Sequence, residues 1–311
     1  MKKTVSTSAV AAIAAGAAVS VGANAALAAD PVAAADPQYY LSLEGSAIFA
    51  DPASDKLGDL VSGPGGTVNH DSFDTDIGYR GAAAFGQSFD DNWDWRVGVA
   101  YSNFMKNRAS VTATSSGGSG GSFFGSQTTD LSYLTGDLEL GYNVKPSDNF
   151  DLRLFAGLRA LNSKSSEDKF GAASSGGPLL GSVDQKVDSE FLGIGPRAGL
   201  DFSTRMGDSI LGLSGMAAGS ILFGKLDQDV AVDVSSIGLG SFSIHDGNSS
   251  NQTVYNLEAA LGADFHITDS SVLTIGYRGE YWDSLRYSQD KNGNGDDMLT
   301  HGPFVRFVAK F

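Results

Sequence analysis

WDWRVGVAYS, residues Trp93–Ser102, alternates between two kinds of side chain. Successive side chains of an extended strand point to opposite sides. Trp93, Trp95, Val97, Val99 and Tyr101 therefore share one face, and Asp94, Arg96, Gly98, Ala100 and Ser102 share the other. The same rhythm returns along the chain. Phe150, Leu152, Leu154, Ala156 and Leu158 oppose Asp151, Arg153, Gly157 and Arg159. Tyr255, Leu257, Leu261, Phe265 and Ile267 oppose Asn256, Glu258, Asp264 and His266. Read throughout, the alternation predicts ten strands, near residues 38–49, 75–87, 93–105, 131–144, 150–163, 190–203, 209–223, 253–267, 271–284 and 299–311. The seventh is the least regular, because Ile210 and Met216 dilute its polar face.

The connections between these segments alternate in length. Long ones run near 50–74, 106–130, 164–189, 224–252 and 285–298, and short ones sit at Gln87–Asn92, Lys145–Asn149, Thr204–Asp208 and Thr268–Ser270. Short turns at one end and long loops at the other are the signature of an outer-membrane barrel, with both termini in the periplasm and an even strand number. A soluble sandwich has no such regularity. The fold class expected is all-β: a transmembrane, antiparallel, up-and-down barrel spanning residues 38–311. The long connections are rich in Gly, Ser and Asp, and Ser115–Gln127 reads as a flexible segment.

The beginning of the chain fits export. Lys2 and Lys3 precede a weakly apolar stretch from Val5 to about Val21, and Ala26-Leu27-Ala28 offers a cleavage site, so that residues 1–28 read as a signal peptide and 29–37 as a short linker. Cleavage at Ala33-Ala34-Ala35 stays open as an alternative. Loss of Lys2 and Lys3 moves the formal charge from −15 to −17. An acidic chain is a poor partner for nucleic acid. Cysteine is absent, so that no disulfide supports the fold. No window is apolar over the length a membrane-spanning helix needs. With 40 Gly, 10 Tyr and 18 Phe, the composition leans toward β-structure.

The two faces differ in a way that points to lipid. One carries aromatic residues near strand ends: Tyr39, Tyr79, Trp93, Trp95, Tyr101, Tyr142, Phe150, Tyr255, Phe265, Tyr277 and Tyr281. Rings of this kind form girdles at the two interfaces of a membrane barrel. Counting back from the C-terminus, Phe311, Ala309, Phe307, Val305 and Pro303 fall on the same face. A last strand ending in phenylalanine, with Phe307 and Val305 in phase, resembles the signal read by the barrel-assembly machinery. The other face collects Arg80, Arg96, Arg153, Arg159, Arg197, Arg278, Arg306 and Lys310 together with Glu44, Asp76, Asp94, Asp137, Glu139, Asp151, Asp201, Glu258, Asp264 and Glu280. An Arg or Lys facing lipid at mid-depth costs about 2–4 kcal/mol, whereas in a wet lumen it pairs and stays hydrated. This puts Arg80, Asp137, Arg159, Arg197, Arg278, Glu280 and Arg306 near mid-height as a candidate constriction. Asp94, Asp151, Asp201 and Asp264 belong closer to the periplasm.

FLGIGPRAGLD (Phe191–Asp201), GYRGEYWDSL (Gly276–Leu285) and LTHGPFVRFVAKF (Leu299–Phe311) resemble segments of the pore-forming outer-membrane family typified by the Legionella major outer membrane protein. The resemblance is best from about Phe191 onward. It implies an outer-membrane location, porin-like or surface roles, and no enzyme site. Ten strands enclose a narrow lumen, between filled eight-stranded barrels and the open channels of sixteen or more.

Little in the sequence points to catalysis. Asp264 and His266 share a face, as an acid–base pair would, but the topology puts them at the periplasmic end, and His70 and His245 have no obvious nucleophile nearby. His301 takes the lipid-side phase. DKNGNGDD (Asp290–Asp297) matches the first half of a calcium loop, with donors at Asp290, Asn292, Asn294 and Asp296, but His301 stands where a bidentate Glu should close it. Such a site would be weak, and an ordinary Asn/Gly/Asp turn is the commoner outcome. No other cofactor is expected. The favoured role is a narrow pore for ions or small solutes. The alternative is a surface barrel with a closed lumen whose long acidic loops meet envelope or host partners. The partners expected in either case are outer-membrane lipid, lipopolysaccharide and the assembly machinery.

Overall fold

In the computed structural model of the chain, the described residues are 38–50, 66–71, 76–89, 92–115, 121–147, 150–175, 179–207, 209–237, 240–286 and 296–311. They form eleven strands: β1 (Gln38–Ala50), β2 (Gly66–Asp71), β3 (Asp76–Ser88), β4 (Trp93–Ser115), β5 (Gly121–Ser147), β6 (Phe150–Ser175), β7 (Leu179–Arg205), β8 (Leu211–Ser236), β9 (Gly240–Thr268), β10 (Ser271–Arg286) and β11 (Asp296–Lys310). Ten of them make an antiparallel ring in which β1 pairs with β3 on one side and β11 on the other, and β4 with β5. Glu44 lies opposite Arg306 across one seam and Ala82 across the other. A closed ring leaves no backbone donor or acceptor unpaired in hydrocarbon, which is the condition for a strand protein to cross a membrane.

The side chains sort as the alternation predicts. Along β9, Tyr255, Asn256, Leu257 and Glu258 are 47%, 1%, 61% and 6% exposed. Leu154, Leu257 and Phe307 face out, and Arg159 and Arg197 are buried inside. The aromatic residues form two belts on the outer wall. The lower belt includes Phe311, Tyr39 and Phe85, which stack in a row, and Trp93 against Tyr142 at 5.0 Å. The upper belt includes Tyr79 against Tyr101 and Tyr277 against His301. Trp93 and Tyr101 are eight residues apart on β4, about 27 Å along a strand and about 20 Å in height at a barrel's usual tilt. That is close to the apolar band of an outer-membrane barrel.

In three of the five long connections the described residues are strand rather than loop. Crossing the bilayer takes about 9–11 residues per strand. β1, β3, β10 and β11 have 13, 13, 16 and 15 residues, but β4 to β9 have 23 to 29. The described residues of 106–130, 164–189 and 224–252 therefore continue the sheet above the upper belt, in ladders such as Lys164↔Glu190 to Ala173↔Gly181. Most of Ser115–Gln127 belongs to this wall: Ser115 ends β4, and Gly121–Gln127 lies in β5, paired on both sides from Ser122 onward. Both faces of a sheet outside the membrane meet water, so pairing survives there without an apolar face, and Gly, Ser and Asp composition conceals it. The connection 50–74 also contributes β2, which pairs with the upper part of β4.

The wall is lopsided. β10 pairs with β9 only up to Asp283↔Tyr255, whereas β8 and β9 stay paired to Ser236↔Gly240. Above the upper belt the ring thus opens into a sheet standing over β4 to β9, with low strands opposite. The chain turns tightly after β7. Gly207 takes a left-handed φ of 59°, and the amide of Met206 bonds back to the carbonyl of Leu211 at 3.0 Å.

Candidate functional site in the lumen

The inward face of the ring is filled from mid-height upward. From mid-height down to the periplasmic end of β4, six arginines and seven carboxylates form one connected network. Arg80 pairs with Glu44 at 2.7 Å and reaches Glu280 at 3.4 Å. Arg278 binds Glu44, Glu280 and Glu258. Glu258 also holds Arg197 and, at 2.8 Å, Arg159. Arg159 meets Asp137 in a fork, with Nε and Nη2 each donating at 2.7 Å, and donates to Asn256 at 2.6 Å. Arg197 continues to Glu139, which in turn holds Arg96 at 2.7 Å and Arg153 at 3.2 Å. Arg153 closes the chain on Asp94 and Asp201, at 2.7 and 2.9 Å. A buried ion pair is tolerated when its remaining hydrogen-bonding capacity is also met, and here five of the seven carboxylates serve two or three guanidinium groups.

Phe155 lies at the middle of the lower part of this network, on the face expected to be polar. Arg96, Arg153 and Arg197 sit 5.5, 5.1 and 5.4 Å from the centre of its ring, so the negative π-face offsets three cations at once. Two glycines make the room. A Cβ on Gly199 would come within 2.6 Å of the Phe155 ring, and one on Gly141 would strike the Arg153 guanidinium.

Above the charges is an apolar plug. Ile48, Phe104, Leu131, Tyr133, Leu161, Phe191, Leu222, Leu226, Val254, Trp282, Leu285 and Met298 point inward and pack as one buried cluster. Tyr133 joins the two layers, with its ring 5.5 Å from Trp282 and its hydroxyl donating to Glu280 at 3.0 Å. The wet mid-height lumen expected from the charges is thus a packed one, because large apolar residues share the inward phase with them. Trp282 has the parity of Arg278 and Glu280, and Leu161 that of Arg159. That signal was legible in the sequence, but a search for polar faces passes over it.

Of the expected constriction residues, Arg80, Asp137, Arg159, Arg197, Arg278 and Glu280 come together in the network. Arg306 does not join them: its guanidinium lies over the ring of Phe304 at 5.3 Å. The hubs of the network, Glu258, Glu139 and Glu44, were expected to face inward but not to form the constriction. Asp94, Asp201 and Asp264 lie toward the periplasm as expected, and Asp151 is exposed there. Asp264 accepts hydrogen bonds from Ser214 at 2.8 Å and Thr274 at 2.6 Å. At the C-terminus, Val305, Phe307 and Phe311 all face out. Phe311 and Tyr39 exchange two backbone hydrogen bonds of 2.9 Å that fasten the seam between β1 and β11. The calcium-like residues Asp290, Asn292 and Asn294, and the side chains of Asp296 and Asp76, lie outside the described residues.

Among solved structures, the chain is similar to the outer membrane protease OmpT of Escherichia coli, with 12% identity, 88% of this chain and 96% of that chain covered, and a TM-score of 0.44. It is also similar to a major outer membrane protein of Thermus thermophilus, with 10% identity, coverages of 89% and 100%, and a TM-score of 0.33. A third is OprG of Pseudomonas aeruginosa, with 13% identity, coverages of 88% and 95%, and a TM-score of 0.25. None of the curated proteins compared with the chain matches it. A family model described as the Legionella pneumophila major outer membrane protein precursor matches residues 25–311, nearly the whole chain. This protein is therefore a member of the Legionella major outer membrane protein family, a multi-pass β-barrel of the outer membrane.

Proposed function

We propose that this barrel works at the cell surface with its lumen closed, and that the wall above the membrane is its working part. The family resemblance allows porin-like and surface roles, and the geometry favours the second. The observation that carries this reading is the pair of stacked layers in the lumen, a mid-height network of paired charges beneath the Tyr133–Trp282 plug. An ion entering from outside would have to part close-packed apolar side chains and then displace ion pairs already satisfied.

The wall supports the same reading. Its outer face carries Asp130, Asp188, Glu190, Asp227 and Asp229 around a shallow groove of about 410 Å³. Its inner face leaves Val183, Phe242 and Ile244 43%, 55% and 55% exposed. A face of each kind held on a rigid sheet suits contact with lipopolysaccharide, envelope or host partners. No catalytic step belongs to this reading, since Asp264 is taken up by two hydroxyls at the periplasmic end. Assembly is proposed to use the outward Val305, Phe307 and Phe311.

Planar-bilayer recording on the refolded protein tests the reading. The expected result is a silent membrane, with rare brief openings at most. Steady ohmic current from the native chain would restore the narrow pore.

A further inference from the structure

We propose that the periplasmic half of the lumen is a vestibule that binds a small oxyanion, carboxylate or phosphate, at Arg306. Toward the periplasm several inward positions on one side of the ring are small, namely Ser42 on β1, Ala82 and Ala84 on β3, Ser214 on β8 and Ala260 on β9, with the larger Tyr40 and Met216 among them. The five small residues face the lumen and yet are partly solvent-exposed, whereas Ile48, Leu161 and Leu222 above are sealed. Short side chains cannot fill a ten-stranded ring, so water enters from the periplasmic mouth and stops beneath the network.

Arg306 stands in the wall of this space. Its direct neighbours across the sheet are Glu44 on β1 and Thr274 on β10, with Asp264 beyond Thr274. Neither carboxylate serves it. Glu44 is held by Arg80 and Arg278, and Asp264 accepts from Ser214 and Thr274. The other six lumen arginines each have a carboxylate oxygen within 4 Å, whereas Arg306 has none among the described residues. Its guanidinium is half-buried, with one face on Phe304 and its edge donating to no side chain among the described residues. The planar fork matches the two oxygens of a carboxylate or phosphate, and its low hydration makes the exchange of water for an anion cheap. The nearby Asp264 and Glu44 set a limit: a small anion of low charge fits, and a polyanion is repelled.

Titration calorimetry of the refolded full chain in micelles, with inorganic phosphate at constant ionic strength, tests the site. The expected result is saturable binding at millimolar phosphate, weakened at least tenfold in Arg306→Gln, partly kept in Arg306→Lys and unchanged in Lys310→Gln at the exposed rim. Binding that is absent, or equal in the native chain and Arg306→Gln, overturns the proposal. A second measurement uses the absence of cysteine. In Ala84→Cys the thiol should react with a small water-soluble reagent, and phosphate should slow that reaction, while in Leu222→Cys the thiol stays unreactive. An inert thiol in Ala84→Cys would remove the vestibule itself.

Discussion

Glu258 lies within salt-bridge reach of three guanidinium groups, those of Arg159, Arg197 and Arg278. Replacing it with Gln keeps the volume and leaves three buried cations short of a counter-charge. Breaking a buried pair from one side costs about 3–5 kcal/mol. Glu258→Gln should therefore lower the urea midpoint of the refolded barrel by an amount in that range. Asp137→Asn should cost less, because Arg159 keeps Glu258 and Asn256 as partners and Asp137 is itself 19% exposed. Equal loss in the two variants would show that the network has no hub. Phe155→Leu removes a ring shared by three arginines, each contact worth about 0.5–2 kcal/mol. An unfolding midpoint unchanged in that variant would leave the cation–π cluster without weight.

At the scale of elements, the ladders above the upper belt make a prediction about backbone dynamics. Amides in 165–173 and 181–189, paired between β6 and β7, should exchange with deuterium far more slowly than a Gly/Ser/Asp-rich loop would. Exchange at coil rates in both segments would mean that these residues are loop after all. The seam is the other element with a distinct expectation. Deleting Phe311 removes two backbone bonds to Tyr39 and the stack on its ring, at the place where the first and last strands must meet. Refolding into micelles should slow and the heat-modifiable folded band on a gel should weaken, with Phe311→Tyr behaving close to native.

For the whole molecule the decisive quantity is the closure of the lumen. Trp282 is wholly buried in the plug, directly above Glu280. Trp282→Ala should cost about 3–5 kcal/mol and open a void next to Tyr133. If the plug is what seals the barrel, this variant should pass brief currents in planar bilayers under conditions where the native protein is silent. Identical silence in a folded Trp282→Ala barrel would assign the seal to the ion pairs alone.

The ten strands of the ring, their antiparallel order and their facing followed from the sequence alone, because a side chain at every second position must choose between hydrocarbon and lumen, and that choice leaves a period of two. Trp93 to Ser102 shows it in ten residues. The height of the wall did not follow. Outside the membrane both faces of β6 or β9 meet water, the period fades, and only backbone pairing reveals a strand. Nor did the state of the lumen. The arginines and carboxylates could be listed from their phase, but whether they line a channel or fill one depends on which of them meet across the ring. Glu258 on β9 reaches Arg159 on β6 only because ten strands close into a cylinder narrow enough to bring them together.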